Sequence, residues 1–165
     1  MPDHHITTEK VDLRRVEVRA CGSIDAHDVD RLASELLPND MGNGWELLVD
    51  WTELSGYTPE ARQALLQLQR ALAERSVRTA FVAERPRLRG LALWLAHTTN
   101  DPLARPFHQR AQADAWLASR EGRIQYLTQY LERAKAGRDR EANESPSQRL
   151  RRLRRRQSSE GGADG

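Results

Sequence analysis

The stretch WELLVDWTEL, residues 45–54, places Leu47, Leu48 and Val49 in an unbroken apolar run closed by Asp50, with Thr52 two positions further on. Gly42 and Gly44 precede it, and Thr58-Pro59-Glu60 follows as a helix start. A strand with one wet face alternates apolar and polar residues. A continuous run between turn and helix signals predicts a strand buried on both faces, at the centre of an α/β sheet. In open sheets of this kind, ligands, phosphates or partners are met at the loop leaving the strand's carboxyl end. The working edge is therefore expected between Asp50 and Thr58.

The flanking segments fit that expectation. Ile6–Glu9 and Val16–Ala20 read as short strands joined by a polar turn at Asp12–Arg15, the second alternating Val16, Val18, Ala20 against Glu17 and Arg19. A helix begins near Asp25, a capping residue complemented by Asp28, with the stripe Val29, Leu32, Ala33, Leu36. Thr58 caps a second helix with Pro59 at its first position and Ala61, Leu65, Leu68 and Leu72 inward. Val77–Ala83 is a strand, Pro86 starts a third helix with Leu88, Leu91, Ala92 and Leu95 inward, and Ala104–Phe107 is an edge strand marked by Pro106. Ala111–Ser119 is a fourth helix anchored by Trp116 and Leu117. The order predicts a mixed, mostly parallel sheet opened by an antiparallel hairpin and flanked by helices.

Residues 1–122 are expected to form this α/β domain and 123–136 an extra C-terminal amphipathic helix with Ile124, Leu127, Leu131 and Ala134 on one stripe. From Gly137 to Gly165 apolar residues nearly vanish, which predicts a disordered tail. Charge divides the same way. Residues 1–135 carry 18 Lys and Arg against 19 Asp and Glu, and the last thirty carry 8 against 5. Six arginines, Arg149, Arg151, Arg152, Arg154, Arg155 and Arg156, lie in the tail. The basic balance thus belongs to the tail and does not mark the domain as a nucleic-acid binder. A single cysteine, Cys21, excludes an intramolecular disulfide and fits a reducing compartment. The polar opening MPDHHITTEK and the lack of a long apolar stretch predict a cytoplasmic protein.

The ordered set of Gly22-Ser23-Ile24-Asp25, Leu47-Leu48-Val49-Asp50, Thr79-Ala80-Phe81-Val82, Arg87-Leu88-Arg89-Gly90-Leu91 and Arg105-Pro106-Phe107 is followed by Ala113-Asp114-Ala115-Trp116-Leu117. It resembles the STAS superfamily, closest to its SpoIIAA-like branch, over roughly residues 5–119. The resemblance implies the mixed-sheet fold and a non-enzymatic role in binding a partner or ligand, with no cofactor. In the anti-sigma antagonists of that superfamily a Ser or Thr at the start of the helix after the central strand is phosphorylated. The usual D-x-S-x(5)-D-S-S-G pattern, aligned from Asp50, puts Thr52 on the first Ser, Thr58 on the second Asp, Pro59 and Glu60 on the two serines and Ala61 on the Gly. The phosphoacceptor is replaced, and Thr58 and Ser55 are the hydroxyls left nearby.

Three candidate surfaces emerge. Asp50, Thr52, Ser55 and Thr58 form an expected partner or anion site at a helix start, although Thr58 equally suits a plain cap. Asp25 and Asp50 read either as a carboxylate pair or as separate capping and hydrogen-bonding residues, the second being the simpler. Leu93 lies about 200° round the third helix from Leu91, so Leu93 and Trp94 face away from the inner stripe. With Leu127 and Leu131 they form an expected apolar interface, within one chain or in a homodimer. The tail arginines are a candidate contact for nucleic acid or anionic lipid, without an aromatic to stack on bases. The histidines lack metal-ligand spacing, Cys21 is expected to be a buried structural thiol, and no phosphate-loop or nucleophile-elbow motif is present. The expected function is a regulatory module acting through protein–protein contact. The rivals are a carrier of lipid or nucleotide and a tether acting through the tail.

Overall fold

The computed structural model describes residues 5–38, 45–119, 127–128, 131–132 and 135–136. In chain order its elements are β1 (His5–Lys10), β2 (Arg15–Ile24), α1 (Ala26–Leu36), β3 (Glu46–Asp50), β4 (Leu54–Tyr57) and α2 (Pro59–Glu74). β5 (Arg78–Val82), α3 (Pro86–Thr98), β6 (Ala104–Phe107) and α4 (Arg110–Ala118) complete them. The chain divides into two units, Met1–Leu127 and Thr128–Gly165, and the α/β fold lies in the first. In the second, Thr128, Leu131, Glu132, Lys135 and Ala136 are helical. Ile124, Ala134 and the tail from 137 to 165, with its arginines, lie outside the described residues.

The sheet runs β1-β2-β3-β5-β6, antiparallel only between β1 and β2. From β2 onward the order advances in one direction, so right-handed crossovers place α1, α2 and α3 on a single face. Packing agrees. Leu47, Val49 and Phe81 share one core with Val29, Leu65 and Leu91 from those three helices. The alternate residues Leu48, Ala80 and Val82 face the other way and pack on Ala113, Trp116 and Leu117 of α4. Leu47, Leu48 and Val49 are all at most 4% exposed, which is the two-sided burial their run implies.

The cap signals hold. Asp25 accepts from the Asp28 N–H at 3.0 Å and Asp28 accepts in return from the Asp25 N–H. Thr58 Oγ1 accepts from the Ala61 N–H at 3.1 Å, with Pro59 opening α2. One strand departs from expectation. The residues after Trp51 were expected to form only a loop, yet Leu54–Tyr57 is β4, pairing in parallel with the far half of β2. β2 therefore runs to Ile24, paired with β3 over Arg15–Arg19 and with β4 from Gly22 onward. The register shifts between Gly22 and Ser23, and Gly22 has φ 74°, a conformation that glycine adopts without strain.

The closing AxxWL segment has a physical reason. Arg78, at the start of β5, is 2% exposed. Its Nη1 donates to Glu46 Oε1 at 3.0 Å and to the Leu117 carbonyl at 3.0 Å, and its Nη2 donates to the Trp116 carbonyl at 2.8 Å. The Trp116 ring lies 4.8 Å from that guanidinium and 5.5 Å from the Phe107 ring. The last carbonyls of α4 thus hold a buried cation, as the negative end of a helix favours. Gly90 has no such reason. It is exposed in mid-α3, and a Cβ there would meet nothing within 4 Å, although glycine inside a helix costs about 0.5–1 kcal/mol relative to alanine.

Candidate functional site

At the carboxyl edge of the sheet, Asp50 is 8% exposed. Its Oδ1 accepts from the Thr52 N–H at 3.0 Å and from Thr52 Oγ1 at 2.6 Å, so the pair forms the turn that leads into β4. Arg19 Nε lies 4.0 Å from the other carboxylate oxygen. Asp25 caps α1 instead, so the two aspartates hold separate jobs. Thr58 is spent on the α2 cap, and Ser55 is exposed on β4. The structure thus brings Asp50 and Thr52 together and strings Ser55 and Thr58 along the same edge.

Three arginines at the start of α3 also reach this edge, and their role is not apparent from sequence spacing. Arg85 Nη1 donates to the Leu54 and Ser55 carbonyls at 3.2 and 3.4 Å, tying α3 to β4. The Arg87 guanidinium lies 5.0 Å over the Tyr57 ring. Arg89 donates to the Ala83 and Glu84 carbonyls and lies 3.0 Å from His108 Nδ1. Long side chains folding back over a sheet edge leave no periodic signal.

Cys21 departs from the expected buried thiol, being only half-buried and donating to Glu53 Oε2 at 3.2 Å. Desolvation first, then the Glu53 carboxylate, push its pKa up. A thiol raised in this way keeps its proton to higher pH in the folded chain than in the unfolded one. Any stability it contributes is present below the unfolded thiol pKa and fades as pH rises through the folded value. Alkylation of the folded protein is therefore expected to be slower than that of free cysteine at neutral pH, with its rate rising only at higher pH. Rate profiles from pH 6 to 11 check this, and a midpoint at or below that of free cysteine contradicts it.

Two hollows bear on ligands. The core between the sheet and α1–α2 encloses a cavity of about 30 Å³ lined by Leu47, Val49, Trp51, Leu65 and Phe81 among others. That is room for roughly two waters and far from a lipid. The sheet face left open beside α4 holds a polar cleft of about 90 Å³ lined by Thr7, Glu9, Glu17, Arg19, Asp50 and Arg110. Its charges are largely matched: Arg110 forks onto Glu17 at 2.6 and 2.5 Å, which raises the Arg110 pKa, and Arg15 meets Glu17 and Asp114. Thr52, Ser55 and Thr58 line neither hollow. Among the described residues no cluster of His, Cys, Asp and Glu is arranged to hold a metal, and no helix is long and apolar enough to cross a membrane.

On α3, Leu93 is 60% exposed and Trp94 is half-buried with the Arg62 guanidinium 4.0 Å over its ring. Leu127 and Leu131 are 54% and 61% exposed.

A mixed sheet in this order, with three helices on one face and a fourth on the other, defines a STAS-type α/β domain. The SpoIIAA-like family profile matches residues 15–118, and the chain belongs to that family. Among solved structures it is similar to an uncharacterised protein of the DUF3478 family with a SpoIIAA-like fold from Shewanella loihica PV-4. That match has 17% identity and a TM-score of 0.55, covering 72% of this chain and 96% of that one. It is also similar to the anti-sigma factor antagonist SpoIIAA in its unphosphorylated form, at 15% identity and a TM-score of 0.51, covering 66% and 93%. At these identities the likeness shows the fold. No curated protein matches the chain.

Proposed function

We propose that this chain is a non-enzymatic regulatory module that binds another protein through the carboxyl edge of its sheet. The observation that carries the reading is how that edge spends its polar groups. Asp50 holds Thr52, Thr58 caps α2, and Arg85 and Arg89 bind backbone carbonyls. These groups are engaged in holding the shape of the edge and the turn that leads into β4. Tyr57 under Arg87 supplies the residue types that anchor protein interfaces. The solved SpoIIAA, an anti-sigma factor antagonist, lends the same direction by fold alone. The core cavity, at about 30 Å³, is too small for the lipid or nucleotide that the carrier alternative needs.

The Thr58→Glu variant tests the reading. It removes a cap worth about 1 kcal/mol and returns about 0.3–1 kcal/mol through a carboxylate at the helix's positive end, so the fold should persist. Partners recovered with the full chain should be lost or replaced, whereas Thr58→Ser, which keeps the cap, should retain them. An unchanged set of partners with native melting behaviour removes this edge from the account.

A further inference from the structure

We propose that the outer face of α3, with the adjoining turn of α2, docks an acidic amphipathic helix of a partner protein. The proposal rests on the chain being a binding module and adds an adjoining surface, which meets the sheet edge at Arg87 and Tyr57 and has its own partner chemistry.

Three independent observations meet on this face. The first is exposed apolar area. Leu93 is 60% exposed, and Trp94 is half-buried whereas Trp45, Trp51 and Trp116 are 2%, 2% and 7% exposed. The second is Gly90, one turn before Trp94 on the same side of the helix. The space where its side chain would stand is open, and nothing inside the fold requires glycine there. A destabilising residue without an internal reason points to an external one. Here it leaves a notch between Arg87 and Trp94 at which a second helix axis can come close.

The third observation is the sign of the charge. α3 contains Arg87, Arg89 and His97 and no carboxylate. The Arg62 and Arg87 guanidiniums lie over the Trp94 and Tyr57 rings, at 4.0 and 5.0 Å, so two cations flank the notch. The carboxylates nearest to these arginines in the chain are Glu60, in the first turn of α2, and Glu84, which precedes the α3 cap at Arg85. A helix with an apolar stripe would cover Leu93 and Trp94, and carboxylates beside that stripe would meet the two guanidiniums with paired N–H donors. Trp, Tyr and Arg are the residue types that dominate binding energy at interfaces. Residues 123–138 of this chain carry four cationic side chains and one carboxylate, the wrong sign for this face. That argues for a separate acidic partner over the chain's own Leu127–Leu131 segment or a second copy's.

A display library of helical peptides, randomised at the exposed positions and selected on the full-length chain, tests this. Enriched peptides should combine apolar residues at i, i+3 or i+4 and i+7 with flanking Asp and Glu. They should shield tryptophan fluorescence from acrylamide, since Trp94 is the accessible ring. Binding should fall at least tenfold for Gly90→Leu, which fills the notch, and for the pair Arg62→Glu with Arg87→Glu. Gly90→Leu should melt no lower than the parent, which separates lost binding from lost fold. No enrichment, enrichment without acidic bias, or retained binding in Gly90→Leu overturns the proposal. Thr58→Glu should leave the peptide affinity unchanged. If it abolishes binding, the peptides sit on the sheet edge, and this proposal fails while the reading of the edge stands. If Leu127→Asp with Leu131→Asp strengthens peptide binding, the chain's own helix occupies the face and the proposal is wrong.

Discussion

Replacing Arg78 with methionine is expected to destabilise the fold by about 3–5 kcal/mol, the cost of breaking a buried, hydrogen-bonded charge by removing one partner. Methionine fills similar length, so the loss is electrostatic and not a cavity. It removes the donor that joins Glu46 to the Trp116 and Leu117 carbonyls. Those bonds pin the end of α4 to the start of β5, so the Trp116 ring should loosen with them. Arg78→Lys keeps the charge but not the fork, and should recover only part of the loss. Urea unfolding followed by tryptophan fluorescence measures both. A loss under about 1 kcal/mol in Arg78→Met would show that the clamp is not structural, since a shift that small is within reach of a single surface contact.

Phe81→Ala is expected to cost about 3–5 kcal/mol. Phe81 is 3% exposed at the middle of the sheet, its ring 4.9 Å from that of Trp51. It also lines the 30 Å³ core cavity, so truncation should open a dry hollow large enough for a small aromatic guest. Benzene at saturation should then raise the melting temperature of the variant and leave the parent unmoved, because only the variant binds it. A parent chain stabilised to the same degree would mean that the native core already takes apolar ligands. That result would favour the carrier reading.

Much of the fold was legible because periodicity and caps act locally. The continuous run at Leu47–Val49, the stripes of α1 to α3 and the caps at Asp25 and Thr58 lie where their residues imply. β4 was not legible. Ser55 and Gly56 have low strand preference, and the segment is a strand only because β2 bends at Gly22 and offers a second partner. Arg78 was hidden for a related reason. In VRTAFVA it reads as a polar start to an apolar strand, and its burial depends on the parallel register that sets it beside Glu46. The start of α4 was missed by one residue, since its capping box uses Gln109 and Gln112, weaker signals than Asp or Thr. At the candidate site, Thr58 and Asp50 could be placed from their neighbours in sequence. Arg85, Arg87 and Arg89 could not, because Arg85 and Arg87 reach β4 residues 30 to 31 positions back and Arg89 reaches His108, 19 positions on.

Native mass spectrometry of the full chain, isolated without denaturation from the cells that make it, tests the central claim most directly. The expected result is a complex with another protein, formed through the sheet edge and lost or replaced in Thr58→Glu, with no small molecule attached to the chain. A chain that carries a stoichiometric lipid or nucleotide, with no protein partner, would contradict it.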